Sequence, residues 1–142
     1  MNTKHFRERL RQLERIMALK NKELGCCGDL SLNQCHLLLT IAELREAGVV
    51  QLAERLGLDK STLSRSTGTL VNKGFIKRCS NTRDGRVVHL ILTSEGRKTV
   101  SLINRNADKY YESLADKISL VELNKVEQSL NCLVDFFSQE DV

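Results

Sequence analysis

The sequence predicts a mainly α-helical fold with one small β-hairpin, and three observations lead there. Proline is absent and only 4% of residues are aromatic, a composition that suits helices better than sheet. Apolar residues recur at three- and four-residue spacing along most of the chain, the mark of amphipathic helices. Only one pair of segments, Phe75 to Ser80 and Val87 to Thr93, is short and β-rich, and the residues between them, NTRDGR, are turn formers and cations.

Residues Thr3 to Leu24 place Phe6, Leu10, Leu13, Ile16, Met17 and Leu24 on one face, with Arg and Glu crowding the other; such a stripe cannot be buried by one helix alone. A connection follows from Gly25 to Ser31. Ser31 with Gln34 forms a capping box flanked by Leu30 and Cys35 as a hydrophobic staple, and this second helix is expected to run to about Ala47, where Gly48 ends it. Leu52, Ala53 and Leu56 then mark a short helix broken by Gly57. Asp59 can cap another that begins KSTLSR and stops at Gly74. After the hairpin, Thr93 or Ser94 can cap a long helix to about Lys117. Ser119 with Glu122 makes a second capping box before a last helix lined by Leu123, Val126, Leu130, Leu133, Val134 and Phe137.

The central stretch carries the chemistry. Leu63, Thr67, Leu70 and Val71 face one way on the helix that starts KSTLSR, leaving Lys60, Ser61, Thr62, Ser64 and Arg65 to face outward. An exposed helix start with short hydroxyls and an arginine suits the floor of the DNA major groove. Charge agrees. The chain is +4 overall, yet Val49 to Lys98 holds ten basic and four acidic residues, against twelve basic and fourteen acidic elsewhere. Positive charge concentrated on one segment attracts the phosphate backbone. Lys73, Lys77 and Arg78 fit phosphate positioning, the basic hairpin tip can reach a narrow minor groove, and Arg83 in that tip can contact phosphate instead. The expected architecture is a winged helix-turn-helix over residues 31–98, flanked by dimerisation helices from 1–30 and 100–142, in a single domain. Two terminal helices with apolar stripes flanking a compact reader are what an interwoven dimer needs; the alternative is that they pack within one chain into a four-helix core.

Composition narrows the other classes. A chain of 142 residues with 41% hydrophobic content can bury a core. No apolar run approaches the roughly 20 residues that span a bilayer, and the N-terminus is too charged for a secretory signal, so no membrane partner and a cytoplasmic location are expected. No nucleophile, base and electrophile constellation or phosphate loop is present, so the chain does not read as an enzyme. A winged-helix module docking a protein partner without DNA is the alternative. Its mark would be an apolar or acidic outer face where Lys60 and Arg65 stand. An RNA role lacks an exposed aromatic platform.

The order helix, helix, LAERLGLDKSTLSR, LVNKGFIKR, a wing containing DGR, HLILTSEGR and two long helices resembles the MarR family of bacterial transcription regulators over nearly the whole chain. The resemblance implies a winged-helix homodimer on a pseudo-palindromic double-stranded operator, usually as a repressor. It implies that Ser61, Thr62, Ser64 and Arg65 lie in the major groove, that Arg86 enters the adjacent minor groove, and that Asp84 orients nearby arginines. Two recognition helices would then sit one DNA turn apart, roughly 34 Å.

The cysteines are the candidates for sensing. Cys26 and Cys27 adjoin in the first connection, and Cys35 and His36 follow near the next helix start. Thiolates and imidazole suit zinc or a thiophilic metalloid, and a thiol near a helix N-terminus can instead be oxidised. The bland reading makes Cys35 a core residue. Structural disulfides are not expected in the cytoplasm. Zinc-sensing members of the family also draw on histidines in the long helix after the wing, where this chain has none. A small amphipathic effector would leave no sequence signature. His5, His89, Cys79, Cys132, Tyr110 and Tyr111 receive no functional assignment.

Overall fold

The computed structural model describes residues 2–23, 28–81 and 84–139, with the side chains of 81 and 84–87 outside that description. The chain forms α1 (Thr3–Glu23), α2 (Leu32–Leu44), β1 (Glu46–Gly48), α3 (Val49–Leu56), α4 (Lys60–Asn72), β2 (Ile76–Asn81), β3 (Asp84–Leu92), α5 (Ser94–Ala115) and α6 (Leu120–Gln139). It divides into two compact units, Met1–Arg105 and Asn106–Val142.

Local signals set the helix starts. Ser31 accepts from the Gln34 amide at 3.2 Å while Gln34 Oε1 accepts from the Ser31 amide at 2.9 Å, the reciprocal box that satisfies two otherwise orphaned donors. Leu30 and Cys35 on either side are both buried. Thr93 Oγ1 accepts from the Gly96 amide at 3.1 Å to open α5, and Ser119 with Glu122 repeats the box at α6. The short α3 ends at Gly57, whose φ of 61° is left-handed, a conformation that costs glycine nothing and other residues more.

The core of the first unit is built by α2, α3, α4 and the sheet. Leu37, Leu38, Ile41, Leu52, Leu63, Leu70 and Leu90 are fully enclosed, with Ile76 nearly so. The residues expected to face inward on α4 do so, except that Val71 is half-buried and Ser66 joins the buried set.

One element departs from expectation. The second helix was expected to reach Ala47, but it stops at Leu44, and Glu46–Gly48 form a strand on the free edge of β3. The sheet therefore has three strands in the order β1-β3-β2. Ala47 lies opposite Leu90 and both are completely buried. The long-range pairing satisfies backbone groups that a frayed last turn would leave open. Arg45 makes the break, with φ 66° and ψ −47°; it is the one non-glycine residue of positive φ among those described. The wing strands also extend further than their sequence pattern, since Asn81 pairs with Asp84 past an irregularity at Ser80/Asn81.

Candidate nucleic-acid interface

The reader is α3, a three-residue turn and α4. The cap of α4 is Asp59, which accepts from the Thr62 amide at 2.6 Å and from the Ser61 hydroxyl at 3.0 Å. The Thr62 amide holds the Asp59 carboxyl below the ordinary carboxylate range, aided by the hydroxyls of Thr62 and Ser61 and by the charge of Arg65. Its contribution to helix stability is therefore present above the unfolded carboxylate pKa and fades as pH falls through the depressed folded value.

Behind the cap, Leu63, Ser66, Thr67 and Leu70 anchor α4 in the core. The opposite face presents Lys60, Ser61, Ser64 and Arg65 to solvent, while Thr62 is half-buried. Thr62 had been expected to face outward with the others; its position beside the cap withdraws it partly. Ser61 carries a feature that sequence reading missed. Its hydroxyl proton is committed to Asp59, so the oxygen is left as an acceptor, suited to an exocyclic amino group of adenine or cytosine. The signal that could have revealed this was the Asp59-x-Ser61 spacing at an N-cap.

Lys73 caps the end of α4 and is exposed, as are Lys77 and Arg78 on β2. Asp84 and Arg86 lie on β3 by their backbones; their side chains, and Arg83 altogether, fall outside the described residues. The expected roles of the wing tip therefore rest on its sequence and on the strand stem that carries it.

The sensing candidates are distributed differently. Cys26 and Cys27 lie outside the described residues. Cys35 is buried and disulfide-bonded, contrary to the expectation of reduced thiols. His36, the next residue on α2, is exposed; consecutive helical residues do not face each other. A bonded sulfur is not a thiolate ligand, so Cys35 and His36 as they stand do not fit a zinc centre. Among the described residues no group of three or more His, Cys, Asp or Glu side chains could hold a metal ion. Cys79, half-buried, and Cys132, exposed, are free. Arg45 and Arg97, with Ile91 and Val100, line a separate cavity of about 510 Å³.

Fold and exposed polar helix together define a winged helix-turn-helix arrangement with a cationic, hydroxyl-bearing outer face on α4. A family model for the MarR family matches residues 30–88. Over 96% of its length the chain superposes on Streptococcus pneumoniae FabT, solved in complex with DNA, at TM-score 0.82 and 25% identity, covering 98% of that chain. MarR of E. coli, as its C80S mutant, superposes on 87% of the chain at TM-score 0.72 and 23% identity, covering 94% of that structure. Among curated relatives, the HTH-type transcriptional regulator YxaD of Bacillus subtilis (strain 168) is 34% identical over 67% of this chain and 66% of its own. YhjH of the same organism, also an HTH-type regulator, is 28% identical over 67% of this chain, which spans about half (51%) of that relative's length. Residues 30–88, which hold α2 to the first part of β3, are MarR-like, and the fold around them is that of the solved MarR-family structures.

Proposed function

We propose that this protein is a homodimeric, sequence-specific double-stranded DNA-binding transcriptional regulator that represses from a pseudo-palindromic operator in the cytoplasm and catalyses no reaction. The observation that carries the proposal is the face of α4, where Lys60, Ser61, Ser64 and Arg65 are exposed while the same helix is anchored by four buried residues. Exposed cations and hydroxyls on a rigid helix suit base edges and phosphates. A protein-docking module would instead show an apolar or acidic outer face there.

Pairing is supported by what the chain leaves uncovered. No residue of α1 or α6 is buried, yet Phe6, Ile16, Leu130 and Phe137 are each about half exposed on apolar stripes. Apolar surface of that extent calls for a partner, and a second copy places two readers on two half-sites. Among the described residues no helix is long and apolar enough to cross a membrane.

The test is binding to the duplex DNA upstream of the protein's own coding region, at stated salt. Arg86→Ala is expected to weaken it at least tenfold, since each dimer would lose two minor-groove arginines. Unchanged affinity would remove the wing from the interface, and absence of duplex binding by the unaltered protein would leave the protein-docking reading.

For release, the bonded state of Cys35 favours thiol oxidation over a metal or metalloid. Two thiols and one peroxide give a disulfide and two waters, the sulfurs supplying the two electrons that peroxide accepts. The change acts at the base of α2, which packs against α3 and α4. Changing Cys26, Cys27 and Cys35 together to Ser is expected to leave duplex binding within threefold while abolishing release by peroxide. Release of the triple variant by peroxide would end the thiol reading, and release of the unaltered protein by zinc or arsenite but not peroxide would favour the metal reading. The arginine-lined cavity suits a small amphipathic anion as a second signal.

A further inference from the structure

The two reader helices enclose a groove of about 610 Å³ between them. Val49, Val50 and Ala53 of α3 line it on one side and Lys60 and Ser64 of α4 on the other, with Glu54, Gly57, Leu58 and Asp59 between them in sequence. The space beside Gly57 is open, since a Cβ built there would meet nothing within 4 Å. The valines are unusual in their setting. Val50 is 66% and Val49 38% exposed in the first turn of α3, although the core side of that helix is supplied by Leu52. Neither belongs to the terminal helices whose stripes a second copy covers. Two β-branched apolar residues in water at a helix start gain nothing from helix propensity, so their value lies in what they touch.

We propose that this groove receives the C5-methyl group of a thymine in each operator half-site, with Val49, Val50 and Ala53 as its van der Waals wall. This rests on the reading of α4 as the groove-facing helix. Three observations select this occupant. The far wall is made by Lys60 and Ser64, which belong to the exposed face of α4, so whatever enters lies against the same duplex that α4 reads. Thymine alone among the bases offers an apolar group in the major groove, beside an O4 acceptor that the Ser64 hydroxyl or the Lys60 ammonium can satisfy. Glu54 and Asp59 also line the groove and repel phosphate, which favours a base edge over the backbone. The specificity of the reader is then shared between helices: α4 supplies donors and acceptors, and α3 supplies the apolar contact.

The test begins with an operator selected from a random duplex library by the unaltered protein. Each thymine is then replaced symmetrically by deoxyuridine, which removes the methyl group alone, and affinities are read by fluorescence anisotropy at fixed salt. One symmetric thymine pair is expected to be sensitive, losing about fourfold per half-site, the equivalent of one buried methyl, or about sixteenfold for the pair. The slope of affinity against salt stays unchanged, because no phosphate contact is lost. In the double variant Val49→Ser with Val50→Ser the thymine and uracil probes are expected to bind within twofold of each other. Circular dichroism checks its fold, and Val50→Ala, which favours helix, serves should the double variant be unfolded; there the penalty is expected to fall by at least half. Indifference of the unaltered protein to uracil at every position overturns the proposal while DNA reading stands, and points to a protein segment as occupant. A full penalty persisting in the folded variants also overturns it. Failure to select any duplex removes the DNA-reading function itself, and this inference with it.

Discussion

Arg65→Ala is expected to weaken operator binding by about a hundredfold while leaving the fold intact. A bidentate arginine contact to a guanine edge is worth roughly 1–3 kcal/mol of discrimination, and a symmetric dimer loses it twice. Arg65 is exposed, and the hydrogen bond that its residue makes within α4 uses its carbonyl, which accepts from Thr69 Oγ1 at 3.0 Å and survives truncation. Arg65→Lys is expected to recover the phosphate attraction but little of the base preference, because an ammonium lacks the planar fork. Affinity for the operator and for a copy with the contacted guanines changed should be measured side by side. If Arg65→Ala bound the operator within threefold of the unaltered protein, α4 would not be the helix that reads bases.

Gly96→Ala is expected to destabilise the first unit by about 3 kcal/mol or more, within the range for overpacking that cannot relax. A Cβ at position 96 would stand 2.0 Å from the Phe75 carbonyl oxygen and 3.0 Å from its carbon. That oxygen cannot retreat cheaply, since it accepts from the Thr93 amide at 3.0 Å and so ties the wing entry to the start of α5. The sign makes the test sharp. In an ordinary helix the same change stabilises by about 1 kcal/mol. Denaturant unfolding that found the alanine variant equal or more stable would show that α5 does not approach Phe75 so closely.

Much of this protein was legible from its residues because the relevant forces act over three or four positions. Ser31 with Gln34, Asp59 with Thr62 and Ser119 with Glu122 are all caps between neighbours, and the structure forms each of them. The division of α4 into buried Leu63 and Leu70 against exposed Lys60 and Arg65 follows from helical period alone. The dense positive charge of the central segment needed only counting.

Other features depend on partners distant in the chain. Glu46–Gly48 carries no strand signal of its own and becomes β1 because β3, more than forty residues on, offers an open edge. The outward turn of Thr62 failed for a related reason: the cap that engages it was read only as a helix start. Cys35 could be placed on an apolar stripe from its spacing, but its bonded state depends on which sulfur the fold brings near. The sequence by itself determined where helices begin, which face of each is apolar and where the cations gather, since those properties are written in short-range spacing. Tertiary structure decided the third strand, the contact of Gly96 with Phe75 and the groove between α3 and α4, because each is a meeting of surfaces that no single segment possesses.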